Sequence, residues 1–190
     1  ENVSKQNYSH KNNIESYIMK DLMRGINKTL LFDSRFWLLI FCYTIAFLVQ
    51  NAVFIHQIPY AEDQGIEKVA AAASFSFIGI ASIFGRYFFG WLSDRLNDAK
   101  NSASWGFICM AAGMLLLLLS NNLLGLYVYS ILFGFGYGSL STMPSVLLAN
   151  RFDPAILGEA HGWLIFFTAG IGGALGPLLA GLAFDYLGSY

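Results

Sequence analysis

Arg86 is the only charged residue inside a long apolar stretch, and it lies seven residues before Ser93, where the stretch turns polar. On a helix rising 1.5 Å per residue, that places it about 10 Å inside the stretch. A charge in apolar surroundings is expensive unless it is paired, so such a residue marks a functional site by default. Gly79, Ser82, Arg86, Gly90 and Ser93 recur at spacings of three and four, which puts them on one helical face. All but Arg86 are small, so this face can meet another helix or a water-filled cavity. No Asp or Glu lies within the apolar stretches that could neutralise Arg86. The fitting partner is an anionic ligand, since a guanidinium grips a carboxylate with two parallel hydrogen bonds. The competing reading is an arginine that snorkels to lipid headgroups.

Other residues could assist. Tyr137 stands between Gly136 and Gly138 and follows Gly134, so its hydroxyl can turn into a cavity while the Gly134/Gly138 pair allows close helix packing. Tyr127 and Tyr129 read as ordinary interfacial anchors. Gln50 and Asn51 are polar residues within an apolar run, and His56 near its end reads as a wet interfacial histidine. Gly90, Asp94 and Arg95 close the Arg86 stretch; Gly90 permits close helix approach, and Asp94 can cap or pair with neighbouring helix ends and Arg95 as a latch. Enzymatic constellations are missing: there is no HExxH, Walker loop, GxSxG or CxxC, and His10, His56 and His161 are far apart. No metal-ligand spacing occurs, no cofactor is implied, and Cys42 and Cys109 sit in apolar runs as small hydrophobes.

The elements that must position these residues follow from composition. The 190 residues are 56% hydrophobic and only 12% charged, about half the charge of a soluble domain, and the charges crowd into the first 35 residues. This excludes disorder, collagen, coiled coil and a disulfide scaffold, and a net charge of −1 gives no footprint for nucleic acid. The chain reads as an all-α membrane protein. Five segments are long and apolar enough to span a bilayer: 36–55, 70–92, 105–119, 123–149 and 160–184. Pro144 bends the fourth, and Gly170, Gly172, Gly173, Gly176, Pro177 and Gly181 make the fifth a bending, closely packing helix.

Lys and Arg outside the spans set the orientation. Lys5, Lys11, Lys20, Arg24, Lys28 and Arg35 precede the first span, and Arg95, Lys100 and Arg151 fall on the same side by alternation; only Lys68 falls opposite. The N-terminal tail therefore reads as cytoplasmic in a multi-pass protein of the cell membrane. Within that tail Ile14, Ile18, Leu22, Ile26 and Leu30 recur at spacing four, with Lys20, Arg24 and Lys28 on another face, as in a helix lying along the membrane surface. The sequons at Asn2, Asn7 and Asn27 fall on this side and read as chance. Transporters are commonly built from six-helix halves. Five spans after a charged lead-in read as a fragment: residues 1–34 a central cytoplasmic loop with an amphipathic helix, and residues 35–190 a transmembrane bundle that lacks its last helix.

Several motifs then resemble the C-terminal half of the major facilitator superfamily, within it the branch of monocarboxylate transporters and oxalate:formate antiporters. Phe36-Trp-Leu-Leu opens the span that corresponds to the seventh of twelve helices. His56-Gln-Ile-Pro-Tyr-Ala-Glu-Asp-Gln-Gly65 is similar to the outer loop of that branch. Gly85-Arg86-Tyr-Phe-Phe-Gly90-Trp-Leu-Ser-Asp94-Arg95 resembles the signature between the eighth and ninth helices, and Gly176-Pro177-Leu-Leu-Ala-Gly181 with Asp185 the end of the eleventh. The resemblance implies the twelve-helix facilitator fold, with five helices of its second half here. It also implies that Arg86 binds a substrate carboxylate and that Tyr137 lines the pocket. Two departures stand out. Animal monocarboxylate transporters carry an aspartate one turn before the arginine, where this chain has Ser82, and the antiporters carry a lysine on the eleventh helix, where this chain has none.

The expectation is a secondary active transporter, not an enzyme, that moves a small organic anion, foremost a monocarboxylate, by alternating access. Arg86 and Tyr137 would bind it, with Gln50 and Asn51 orienting it and Gly90, Asp94 and Arg95 gating. Its partners would be that anion, the lipid bilayer and the six-helix N-terminal half, with proton symport and anion exchange both open. The rivals are a facilitator for a sugar, drug or other metabolite, and a non-transporting receptor or scaffold on the same fold.

Overall fold

The computed structural model describes residues 28–119 and 122–187. The expected surface helix and the sequons therefore lie almost wholly outside the described residues. Contacts divide the chain into Glu1–Phe36 and Trp37–Tyr190. Within the first unit, a helical turn spans Lys28–Leu31, and Asp33 Oδ1 accepts from Arg35 N at 2.8 Å where the next helix begins.

That helix, α1, runs Ser34–Asp63 and ends at Gly65, whose φ of 78° suits a residue without Cβ. Next, α2 (Lys68–Leu96) ends in a left-handed Asn97 with φ 49°, whose N–H bonds back to the Asp94 carbonyl. Asp98 Oδ1 accepts from Lys100 N at 2.9 Å and so caps α3 (Ala99–Leu119). Asn122 caps α4 (Leu123–Ala149) by accepting from Gly125 N at 2.8 Å. Asp153 caps α5 (Pro154–Ile165), with proline at the first helical position, where its missing N–H costs nothing.

From Phe166 to Gly172 the chain follows a π-helix before resuming as α6 (Gly173–Leu187). Pro177 cannot donate to the carbonyl of Gly173, so the backbone at this junction is freed from regular pairing. The glycine-rich span thus departs from a regular α-helix at Phe166–Gly172. Among the described residues five helices are long and apolar enough to cross a membrane, α5 to α6 counting as one. Each expected span falls within one of them. The first, second and fifth helices run past their apolar runs at both ends, the third starts earlier, and the fourth matches its run.

Small residues bring the helices together. Side chains at α2 positions 71, 74, 78, 81, 82, 85, 89 and 93 are buried, a stripe at spacings of one, three and four. A Cβ on Gly134 of α4 would stand 2.5 Å from the Ile78 carbonyl oxygen, and one on Gly138 2.5 Å from the Arg86 nitrogen. Gly85 meets Phe135 backbone from the other side. The Gly134/Gly138 pair therefore packs as expected. Ser102 of α3 donates to the Phe89 carbonyl of α2 at 2.7 Å, and Gly113 faces the Phe133 backbone of α4. On the opposite side, Gly172 and Gly176 lie against Thr44 and Leu48 of α1, and the edge of Trp37 meets Phe167 at 5.5 Å.

Candidate functional site

Close packing of α2 on α4 fixes the site. Because Gly138 admits the Arg86 backbone, the neighbouring Tyr137 and the Arg86 side chain reach one open cavity of about 460 Å³. Its wall on α2 includes Phe75, Gly79, Ser82 and Arg86, at spacings of four, three and four along one face. Phe54 from α1 completes it. The Phe54 ring meets Phe75 at 5.2 Å and Tyr137 at 5.3 Å, both nearly perpendicular, as aromatic quadrupoles favour. Ser82 Oγ donates to the Gly79 carbonyl one turn earlier at 2.7 Å and keeps lone pairs for accepting. Among the described residues the Arg86 guanidinium makes no ion pair, and its side chain is exposed to the cavity and surface. Arg86 lies ten residues before the end of α2, about 15 Å along the axis.

Gln50 and Asn51 are not brought to this cavity. Gln50 is buried, 5% exposed, and Asn51 donates Nδ2 to the Phe47 carbonyl at 2.8 Å while lying against Gly173 of α6. Asn51 lies three residues before Phe54, about 60° away around the helix, but its amide is turned back along α1 onto the Phe47 carbonyl instead of out to the cavity.

The close approach expected at Gly90 falls at Gly85: a Cβ at Gly90 would meet nothing within 4 Å. The Asp94–Arg95 latch is also absent among the described residues. Neighbouring residues on a helix point apart, and the Arg95 guanidinium sits 5.3 Å above the Trp91 ring, a cation–π contact. Asp94 is exposed.

Sequence reasoning missed two features. Phe54 and Phe75 were hidden because an aromatic in an apolar span has no distinguishing pattern. Gln57, only 3% exposed, centres a buried network: it donates to Ser74 at 2.8 Å and Ser130 at 3.5 Å, and accepts from Tyr129 OH at 3.3 Å. The network joins α1, α2 and α4. Tyr129 is therefore a core residue rather than an interfacial anchor. His56, one residue earlier, places Nε2 3.1 Å from the Pro177 carbonyl and ties α1 to α6 instead of facing water alone.

The sequence profile described as Major Facilitator Superfamily matches residues 9–177. Monocarboxylate transporter 12 of Homo sapiens is 30% identical over 147 residues, covering 74% of this chain and 28% of that protein. Monocarboxylate transporter 2 of Homo sapiens is 31% identical over 149 residues, or 77% of this chain and 31% of that protein. Monocarboxylate transporter 2 of Mesocricetus auratus is 32% identical over 149 residues, with the same coverage of 77% and 31%. The chain thus spans less than a third of the length of these relatives. Five membrane-length helices and a profile match over most of the sequence lead to one assignment: this multi-pass membrane chain belongs to the major facilitator superfamily.

Proposed function

We propose that the chain is the second-half bundle of a secondary active transporter that moves a small organic anion, foremost a monocarboxylate, across the cell membrane by alternating access. In this reading residues 1–34 form the cytoplasmic central loop, and residues 35–190 the seventh to eleventh helices, facing an N-terminal six-helix half. The observation that carries it is the meeting of Arg86 and Tyr137 in one cavity where Arg86 has no carboxylate partner among the described residues. Arg86 binds the carboxylate with two parallel hydrogen bonds, and Tyr137 donates a third. The relatives named monocarboxylate transporters support the same substrate class. With Ser82 where an aspartate would carry a proton beside the arginine, either a proton or a counter-anion drives the cycle. Arg95 acts at the cytoplasmic gate, leaving Trp91 as that side changes state.

Uptake of labelled monocarboxylates into liposomes holding the full-length protein tests this, with and without an inward proton gradient. Saturable uptake that Arg86→Ala abolishes is expected. The gradient response separates symport from exchange. Uptake indifferent to Arg86→Ala, or none for any carboxylate, contradicts the assignment.

A further inference from the structure

The Arg86 cavity has chemically different ends. Phe75 and Arg86 lie on the same face of α2, eleven residues apart, which is about 16 Å along the axis. At one end stands the guanidinium. The other is walled by the mutually perpendicular rings of Phe54 and Phe75. Between them the wall includes Gly79, where a Cβ would meet no atom within 4 Å, so an open strip of backbone joins the two ends. Two donors on this wall suit an anionic head, Arg86 and the Tyr137 hydroxyl; the Ser82 hydrogen is already given to the Gly79 carbonyl, and Ser76 adds one more hydroxyl. Among the described residues no carboxylate or amide lines the cavity to accept from a row of substrate hydroxyls. A three-carbon acid held by Arg86 would cover only one end and leave the rings unused.

Resting on the carboxylate reading above, we infer that this cavity selects monocarboxylates with a flat apolar body extending from the acid, and that Phe54 and Gly79 set this preference. The acid lies on Arg86, the body passes over Gly79, and its terminal ring packs against Phe54 and Phe75. Phe54 is a specificity residue held in place by its contacts with Phe75 and Tyr137.

The pair pyruvate and phenylpyruvate tests this directly, because they differ by one phenyl ring. Uptake of each by the full-length protein in liposomes gives a ratio of kcat/KM values. Wild type is expected to favour phenylpyruvate. Gly79→Leu, which starts from open space and therefore threatens folding least, should lower that ratio tenfold or more by occupying the strip. Phe54→Leu, which keeps an apolar side chain, should lower it by roughly three- to tenfold, the usual worth of an aromatic contact. A ratio unchanged in both variants, or a wild type that prefers pyruvate, overturns the inference. Arg86→Lys separates the two levels: weakened uptake of both acids with an unchanged Gly79→Leu ratio leaves the carboxylate reading standing and removes only this inference. Both acids indifferent to Arg86→Lys would remove both.

Discussion

At the scale of single residues, what distinguishes Arg86 is the combination of a place inside an apolar helix, exposure to a cavity and lack of a fixed anionic neighbour among the described residues. Type and position were legible in the sequence, because a lone arginine in an apolar run is conspicuous. So was Tyr137, set among glycines. Phe54 was not, since one phenylalanine among the chain's 17 carries no pattern. Gln50 and Asn51 also drew attention by their polarity, but neither lines the cavity that Arg86 and Tyr137 share. Tyr137→Phe removes a donor but keeps the edge contact with Phe54. It should raise KM for a carboxylate by roughly threefold to tenfold, the worth of one hydrogen bond, with little change in thermal stability. An unchanged KM would place the hydroxyl outside the site.

At the scale of elements, glycine at a contact does something that glycine elsewhere does not. Gly138→Ala would place a methyl 2.5 Å from the Arg86 nitrogen, against backbone that cannot step aside. It should cost about 1–3 kcal/mol, read as a lowered melting temperature of the full-length protein in detergent. Gly162→Ala in α5 meets open space and should be neutral, or stabilising by about 0.5–1 kcal/mol. Equal melting of the two variants would mean that α2 and α4 are not held by that contact.

The Gln57 network makes a second claim at this scale. Ser74 and Ser130 also donate to carbonyls on their own helices, at 2.6 and 2.7 Å, so loss of Gln57 would strand chiefly the Tyr129 hydroxyl. Gln57→Leu should therefore destabilise by about 1–3 kcal/mol, and combining it with Tyr129→Phe should recover part of that loss. Strict additivity in melting or denaturant curves would show that the two side chains do not share a bond. Helix existence was legible from apolar run length, and the Gly134/Gly138 packing from spacing. The π-helical junction at Phe166–Gly172 was legible only as glycine and proline content, because composition says that a helix deforms but not which hydrogen-bond register it adopts.

At the scale of the whole molecule, the five membrane-length helices among the described residues follow from hydropathy, and the family assignment agrees with them. Orientation rests on Lys and Arg in the connections, and it is testable. After replacement of Cys42 and Cys109, a cysteine at Gln64 should react with a membrane-impermeant thiol reagent added outside intact cells. One at Asn97 should react only after permeabilisation. The reverse pattern would invert the proposed topology.

The central claim is that Arg86 is the carboxylate receptor of the cavity it shares with Tyr137. Equilibrium binding of labelled pyruvate and phenylpyruvate to the purified full-length protein tests it most directly, because it bypasses gating and coupling. Saturable binding is predicted, weakened at least tenfold by Arg86→Lys for whichever acid binds and lost in Arg86→Ala, while both variants keep the wild-type melting temperature without ligand. Binding of equal strength in all three proteins would contradict it.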